Sequence, residues 1–114
     1  MAFSTKRIYE PVSARDGERI LVERLWPRGV RKQDAAIDEW LKDVAPSTAL
    51  RKWFGHDPNR WDAFCERYAA ELDARPDVVE ALRARGRRRR VTLIFSSKEE
   101  RFNNAVALRD YLAG

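Results

Sequence analysis

The stretch Val91-Thr92-Leu93-Ile94-Phe95 decides the fold. It is short, almost wholly apolar and partly β-branched, which is typical of a central strand covered on both faces. A second extended run, Arg19 to Leu25, follows the turn signal Asp16-Gly17, and Arg7 to Tyr9 is a third candidate strand. We expect the strands of the first two runs to be adjacent and parallel, joined by a right-handed helical crossover.

Most of the chain around these strands has helical periodicity or helix-capping signals. The first predicted helix carries Ile37, Trp40, Leu41 and Val44, and the second runs from Ser47 to Phe54. The third follows the cap Asp57-Pro58, and the fourth begins at Asp77, with Glu80 as its capping partner, and ends at Gly86. The fifth begins at the capping box of Ser97 and Glu100. The order of elements predicts an α/β layer fold with a short, mostly parallel sheet flanked by about five helices.

Length and composition fit one domain, residues 1–114, since 44% of the 114 residues are hydrophobic. The start of the chain does not match a signal peptide and no segment is apolar for long enough to span a membrane, so we expect a cytoplasmic protein with no membrane partner. The chain has one cysteine, Cys65, and one histidine, His56, so we expect no structural metal site. Cys65 lies on an apolar helical stripe, which favours a buried structural thiol.

The charge of the chain favours an anionic partner. Its formal net charge is +5, from 23 Lys and Arg against 18 Asp and Glu. This positive field suits nucleic acid, an acidic protein surface, or a small molecule that carries phosphate or carboxylate. A basic segment contains Arg83, Arg85 and the run Arg87 to Arg90. It could bind the phosphates of nucleic acid or an acidic partner, but a solvated edge is the favoured interpretation.

Open α/β sheets bind ligands beyond the carboxyl ends of their strands, and two polar segments occupy that position. The first, Arg24 to Gly29, offers the guanidinium groups of Arg24 and Arg28 together with Trp26. The second, Ser96-Ser97-Lys98, offers two hydroxyls and an ammonium group at a predicted helix N-terminus, where anions are favoured. If the two strands are neighbours, these groups form one anion-binding cleft.

Each of these residues also has a purely structural interpretation. Ser97 can serve only as a helix cap, Arg24 can pair with Glu23 or another carboxylate, and Trp26 can close the core. His56 is the candidate catalytic acid or base because its side chain titrates near neutrality, but a histidine in a loop is often solvated.

Four blocks of sequence resemble the YeaO-like branch of a bacterial family of unknown function, DUF488: ERLWPRG (23–29), WLKDVAPS (40–47), LRKWFGHDP (50–58) and VTLIFSSKEERFNNAVAL (91–108). Glu23 stands where the family pattern usually has Asp, and Ser96 where it more often has Ala. The resemblance implies a Rossmann-like α/β fold but no particular activity or cofactor. The positions at which this chain matches the family are Arg24, Trp26, Arg28, Lys42, Ser47, Arg51, His56, Asp57, Lys98 and Asn104.

The leading functional hypothesis is a cleft for a small anionic ligand, with catalysis left open. The ligand-binding candidates are Arg24, Trp26, Arg28, Lys42, Arg51, Ser96, Ser97 and Lys98. No cofactor is predicted, because the chain has no Gly-rich phosphate-binding loop. The alternatives are nucleic-acid binding through the basic surface and a protein-interaction module with an exposed aromatic patch. The sequence leaves the oligomeric state open.

Overall fold

Four parallel strands form one sheet in the computed structural model, which describes residues 3–114. The strands are β1 (Phe3–Arg7), β2 (Glu18–Leu21), β3 (Glu39–Trp40) and β4 (Val91–Phe95). Their order across the sheet is β1-β4-β2-β3, so β4 lies inside the sheet. All five residues of β4 are buried, as predicted for this apolar run. The expected parallel pairing of β2 with β4 is confirmed, with Leu21 opposite Ile94.

In the part of the chain that the structure describes, four α-helices pack against this sheet, one fewer than the sequence predicts. They are α1 (Thr48–Phe54), α2 (Trp61–Asp73), α3 (Pro76–Arg88) and α4 (Asn104–Ala113). Short 3-10 turns lie at Ala14–Asp16, Lys32–Asp34, Lys42–Val44 and Pro58–Arg60. The parallel sheet with its helices confirms the predicted layered α/β class. No helix within residues 3–114 is long and apolar enough to cross a membrane.

The core lies on both faces of the sheet, since successive side chains of a strand point to opposite faces. All four α-helices contribute buried side chains to the larger cluster, which also contains Leu93 and Phe95 of β4. Ile94 points the other way and joins Leu21 and Ile8 in a smaller cluster. Half-buried Trp26 and Trp40 cover that second face, and no α-helix of the described residues contributes a side chain to this smaller cluster.

The predicted helix through Ile37, Trp40, Leu41 and Val44 is wrong. Strand β3 and the 3-10 turn Lys42–Val44 occupy this segment instead. Ile37 and Trp40 pack on the smaller cluster, whereas Leu41 and Val44 pack on the larger one. A helix would place all four residues on one side, but the chain passes the edge of the sheet and delivers them to both faces.

Four predicted boundaries also need correction. Strand β2 covers Glu18–Leu21 and so ends four residues before Leu25. Strand β1 covers Phe3–Arg7 rather than residues 7–9, because its mixed polar sequence lies at the sheet edge and lacks an apolar signature. Helix α3 has no side-chain cap and continues beyond Gly86 to Arg88. The last helix begins at Asn104 instead of Ser97, because the Asn103 side chain accepts the first capping bond, from the Val106 amide.

Candidate functional site

A polar cleft of about 260 Å³ opens at the carboxyl ends of the two central strands. This is where open α/β sheets bind ligands. Two of its lining segments directly follow β2 and β4, and the others lie at the end of α1 and the start of α4. The lining residues are Glu23, Arg51, Lys52, His56, Ser96, Ser97 and Asn104.

Helix α1 brings two cationic side chains, Arg51 and Lys52, to the cleft. The helix is fixed at its start because the Ser47 side chain accepts a hydrogen bond from the Leu50 amide at 3.1 Å. The backbone N–H and the hydroxyl of Ser47 also donate to the Glu71 carboxylate of α2, at 2.8 and 2.6 Å. These contacts hold α1 against α2 and so position the two cations.

Neither cation is neutralised by a close carboxylate. Within residues 3–114, no Asp or Glu oxygen lies within 4 Å of a side-chain nitrogen of Arg51 or Lys52. Lys52 is exposed and Arg51 is half-buried. Both side chains are therefore available to a ligand that enters the cleft.

Glu23 is the acidic residue of the cleft and is held in place from several sides. Its carboxylate accepts a hydrogen bond of 3.0 Å from the Ser96 hydroxyl, and its backbone carbonyl accepts one of 2.6 Å from the Trp40 indole. Burial raises the pKa of the Glu23 carboxyl above its ordinary value, although hydrogen bonds from Ser96 and Asn104 and the charge of Arg51 act in the opposite direction.

His56 occupies the cleft with a strained backbone. Its φ is 56°, in the left-handed region that a residue with a Cβ adopts at a cost, and it follows Gly55 with a φ of 54°. The imidazole lies 5.7 Å from the ring of Phe54, and its Nδ1 is 3.4 Å from the carbonyl oxygen of Phe102. Strained residues of this kind cluster at ligand-binding and catalytic sites.

The segment after β4 is a hydrogen-bonded loop and not the start of a helix. The Ser97 side chain accepts from the Glu99 amide at 2.9 Å. The Glu99 carboxylate in turn accepts from the amides of Arg101 and Phe102, and these two bonds lower the pKa of Glu99. Because these N–H groups already have partners, the helix-terminus part of the sequence argument for an anion site at Ser97 is wrong.

The structure brings together some of the sequence-predicted ligand residues and separates others. Arg51, Ser96, Ser97 and the catalytic candidate His56 all line the cleft. Lys98 lies beside it, in an open depression of about 360 Å³ that His56 and Ser97 also line.

The other four ligand-binding candidates do not line this cleft and have structural contacts of their own. Arg24 donates to the carbonyls of Ala45 and Pro46, and the Trp26 indole donates to the Val30 carbonyl. The Lys42 ammonium lies over the Trp40 ring, 4.1 Å from its centroid. Arg28 is exposed, and its carbonyl accepts from the Tyr9 hydroxyl at 2.9 Å.

Sequence reasoning did not place Glu23 and Lys52 among the ligand-binding residues. The sequence suggests a role for Glu23 as an ion-pair partner of Arg24, yet Arg24 binds backbone carbonyls instead. The available signal was position, because Glu23 is the one carboxylate among residues 22–29, which directly follow β2. The sequence indicates Lys52 more weakly, only because it is adjacent to the candidate Arg51.

Cys65 and the basic run are separate from the cleft. Burial first, and then the nearby Asp110 and Asp62, raise the pKa of the Cys65 thiol to about 11, so the thiol stays protonated near neutrality. Arg87 to Arg90 are exposed and directly precede β4. They therefore lie at the amino end of this strand, whereas the cleft lies at its carboxyl end. No three His, Cys, Asp or Glu side chains in the described range 3–114 are grouped so that they could hold a metal ion.

Fold and site together define a parallel α/β protein with a cation-lined cleft at the carboxyl edge of its sheet. The chain belongs to the family described as the inactive DUF488-N3 subclade, whose family model matches residues 2–114. This finding confirms the family resemblance.

The chain is similar along nearly its whole length to curated bacterial proteins. It is 42% identical over 112 residues to the uncharacterized protein YeaO of Escherichia coli, an alignment that covers 98% of this chain and 97% of YeaO. It is 40% identical over 108 residues to the uncharacterized protein Rv3073c of Mycobacterium tuberculosis, covering 95% of this chain and 91% of the relative. The uncharacterized protein Mb3100c of Mycobacterium bovis has the same identity and coverage. No solved structure matches the chain.

Proposed function

We propose that the protein binds a small molecule with a phosphate or carboxylate group in the cleft at the ends of β2 and β4. The observation that carries this proposal is the pair Arg51 and Lys52, two cations that line the cleft without an ion-pair partner in residues 3–114. A guanidinium binds a carboxylate or phosphate through two parallel hydrogen bonds, and an ammonium adds a point charge.

Neutral donors complete the proposed anion site. The hydroxyl of Ser97 and the imidazole of His56 line the same cleft, and each donates a hydrogen bond to a ligand oxygen when its proton is directed there. Such groups fix the orientation of a ligand that the cations attract.

Binding without chemistry is the form of the proposal that the observations favour. If His56 activated a serine nucleophile, its imidazole would accept the hydroxyl proton of that serine. The Ser96 hydroxyl is instead directed to Glu23, and the His56 Nδ1 faces the Phe102 carbonyl. The family description also calls this subclade inactive. His56 is therefore assigned to ligand contact rather than to proton transfer.

Thermal unfolding with increasing phosphate tests this function. Since a ligand of the folded state raises stability by mass action, by about 2.7 kcal/mol at 100 times its Kd, the midpoint should rise clearly. Arg51→Gln should weaken binding about tenfold and reduce the rise. Arg88→Gln is the matched control, because it removes the same charge from an exposed position at the opposite edge of the sheet. An equal rise in all three proteins, or none in the wild type, would contradict the proposal.

The exposed arginines at positions 87–90 support a second candidate function, nucleic-acid binding. Within residues 3–114, Arg87 pairs with Glu80 at 3.0 Å, but the other three have no ion-pair partner. Binding through these side chains should weaken steeply as salt rises, because each phosphate contact releases counterions. A fluorescence anisotropy titration with a labelled DNA duplex at two salt concentrations checks this, and no binding at low salt would exclude it.

A further inference from the structure

Glu23 raises a chemical question that anion binding alone does not answer. A carboxylate in the same cleft as Arg51 and Lys52 repels an anionic ligand and costs binding energy. It does not serve as the ion-pair partner of either cation, since neither has a carboxylate oxygen within 4 Å in the described residues. The carboxylate therefore calls for a partner that the ligand itself supplies.

The hydrogen-bonding capacity of Glu23 is only partly used. An ionised carboxylate can accept about four hydrogen bonds. The Ser96 hydroxyl provides one at 3.0 Å, and the Asn104 side chain is the other hydrogen-bonding neighbour that acts on this carboxyl. Both neighbours are neutral, and Arg51 acts on this carboxyl only through its charge, since no ion pair within 4 Å involves Glu23 in residues 3–114.

We infer that the ligand carries a hydroxyl or ammonium donor for Glu23 in addition to the anionic group held by Arg51 and Lys52. This inference rests on the proposed function and narrows it from any anion to a bifunctional one. The donor end lies against Glu23, beside Ser96 at the strand ends, and the anionic end lies toward α1.

The size of the cleft restricts the ligand further. Pockets for drug-sized ligands hold roughly 300–1,000 Å³. The present cleft holds about 260 Å³, below that range. A hydroxylated or aminated phosphate or carboxylate of a few carbon atoms fits this volume, whereas a nucleotide is too large to be enclosed.

Two pairs of phosphate esters isolate the contribution of the donor. Glycerol 3-phosphate and propyl phosphate have the same number of carbons, but only the first has hydroxyls. Phosphoethanolamine and ethyl phosphate differ in the same way by an ammonium group. Dissociation constants for all four are measured by calorimetry at pH 7.5 with the wild type, Glu23→Gln and the control Glu66→Gln. Glu66 is exposed on α2 and does not line the cleft.

The wild type and Glu66→Gln should bind at least one donor-bearing ester about tenfold more tightly than its alkyl partner, since hydrogen bonds to charged groups are the stronger ones. In Glu23→Gln, that preference should fall below about threefold while the alkyl phosphates bind more tightly, because the repelling charge is gone.

Each other result has a distinct meaning. If the wild type binds each donor-bearing ester no more tightly than its alkyl phosphate partner, the bifunctional ligand is overturned but phosphate binding stands. A preference that survives in Glu23→Gln overturns the assignment of the donor to Glu23. Failure of all four esters to bind overturns the proposed function and this inference together.

Discussion

The Ser96 hydroxyl donates a hydrogen bond of 3.0 Å to the Glu23 carboxylate and so connects the two chain segments that leave the central strands. Strands β2 and β4 are paired in parallel up to Leu21 and Ile94, and a further bond joins the Val22 amide to the Ile94 carbonyl. The parallel register thus brings a carboxylate and a hydroxyl, 73 residues apart in sequence, to one edge of the sheet.

Replacing Glu23 by Gln should stabilise the unliganded protein at neutral pH. The pKa of Glu23 is raised in the folded state, so its ionisation opposes folding once the pH exceeds the ordinary carboxyl pKa of 4.5. The wild type should therefore lose stability relative to Glu23→Gln as the pH rises from 4.5, and the two should converge below it. Urea unfolding between pH 4 and pH 8 measures the difference. If the stability of Glu23→Gln relative to the wild type fell between pH 4 and pH 7.5, this prediction would be wrong.

The backbone strain at His56 should be relieved by substitution with glycine but not with alanine. Both substitutions remove the imidazole, while only glycine adopts a φ of 56° without a Cβ penalty. His56→Gly should thus be more stable than His56→Ala by about 1 kcal/mol. Chemical denaturation of the two variants provides the comparison. Equal stabilities would show that the left-handed backbone carries no strain.

Asp16 should contribute strongly to stability through contacts with two cations, one buried and one partly buried. Its carboxylate lies 2.9 Å from the Lys6 ammonium and 2.6 Å from the Arg19 guanidinium, and only 7% of the residue is exposed. Burial alone would raise its pKa, but hydrogen bonds from Lys6, the Ser13 backbone and Arg19 outweigh burial and lower it. Asp16→Asn should cost about 3 kcal/mol because it leaves the buried guanidinium of Arg19 without its carboxylate.

The same contacts fix the pH dependence of this effect. Because the folded-state pKa of Asp16 lies below its ordinary value of 3.8, the stabilisation is complete above that pH and is lost as the pH falls through the folded value. The gap between wild type and Asp16→Asn should therefore narrow below pH 3.8. Asp34→Asn is the control, since Asp34 forms an exposed pair with Arg31 that should contribute less than about 1 kcal/mol. A cost for Asp16→Asn no larger than the cost of the control would contradict the prediction.

Gly86→Ala should destabilise the protein although alanine is the better helix former. In an exposed helix this change gains about 1 kcal/mol. A Cβ on Gly86 would instead collide with the ring of Phe3, which packs directly on the glycine, and overpacking of this kind costs about 1–3 kcal/mol. Thermal unfolding of Gly86→Ala, Phe3→Ala and the double variant tests this. The alanine should be tolerated once Phe3 is truncated, and a stabilising effect in the presence of Phe3 would contradict the packing.

Gly86 also illustrates how far sequence patterns predict this fold. A glycine near the end of a helical pattern indicates a helix end, and the local pattern contains no sign that Phe3, 83 residues away, needs the space. The helices whose signals are local were predicted well, since Ser47, Gly55 and Asp57 act within a few residues of their own position.

The candidate site was predicted in part for the same reason. The two strands beyond which it opens have clear local signatures, and the placement of Ser96 and Ser97 follows from the end of β4. The separation of Arg24 from the cleft depends on distant backbone carbonyls, Ala45 and Pro46, that no local pattern indicates. Long-range contacts of irregular backbone are the part of the structure that periodicity does not encode.

A titration of ¹⁵N-labelled protein with inorganic phosphate, followed by amide chemical shifts, tests the central claim most directly. If the cleft binds anions, saturable shifts should appear in residues 51–56, 96–98 and 104, which line or adjoin it. Shifts confined to residues 87–90, at the opposite edge of the sheet, would contradict a cleft for small anions and identify the basic run as the anion-binding surface.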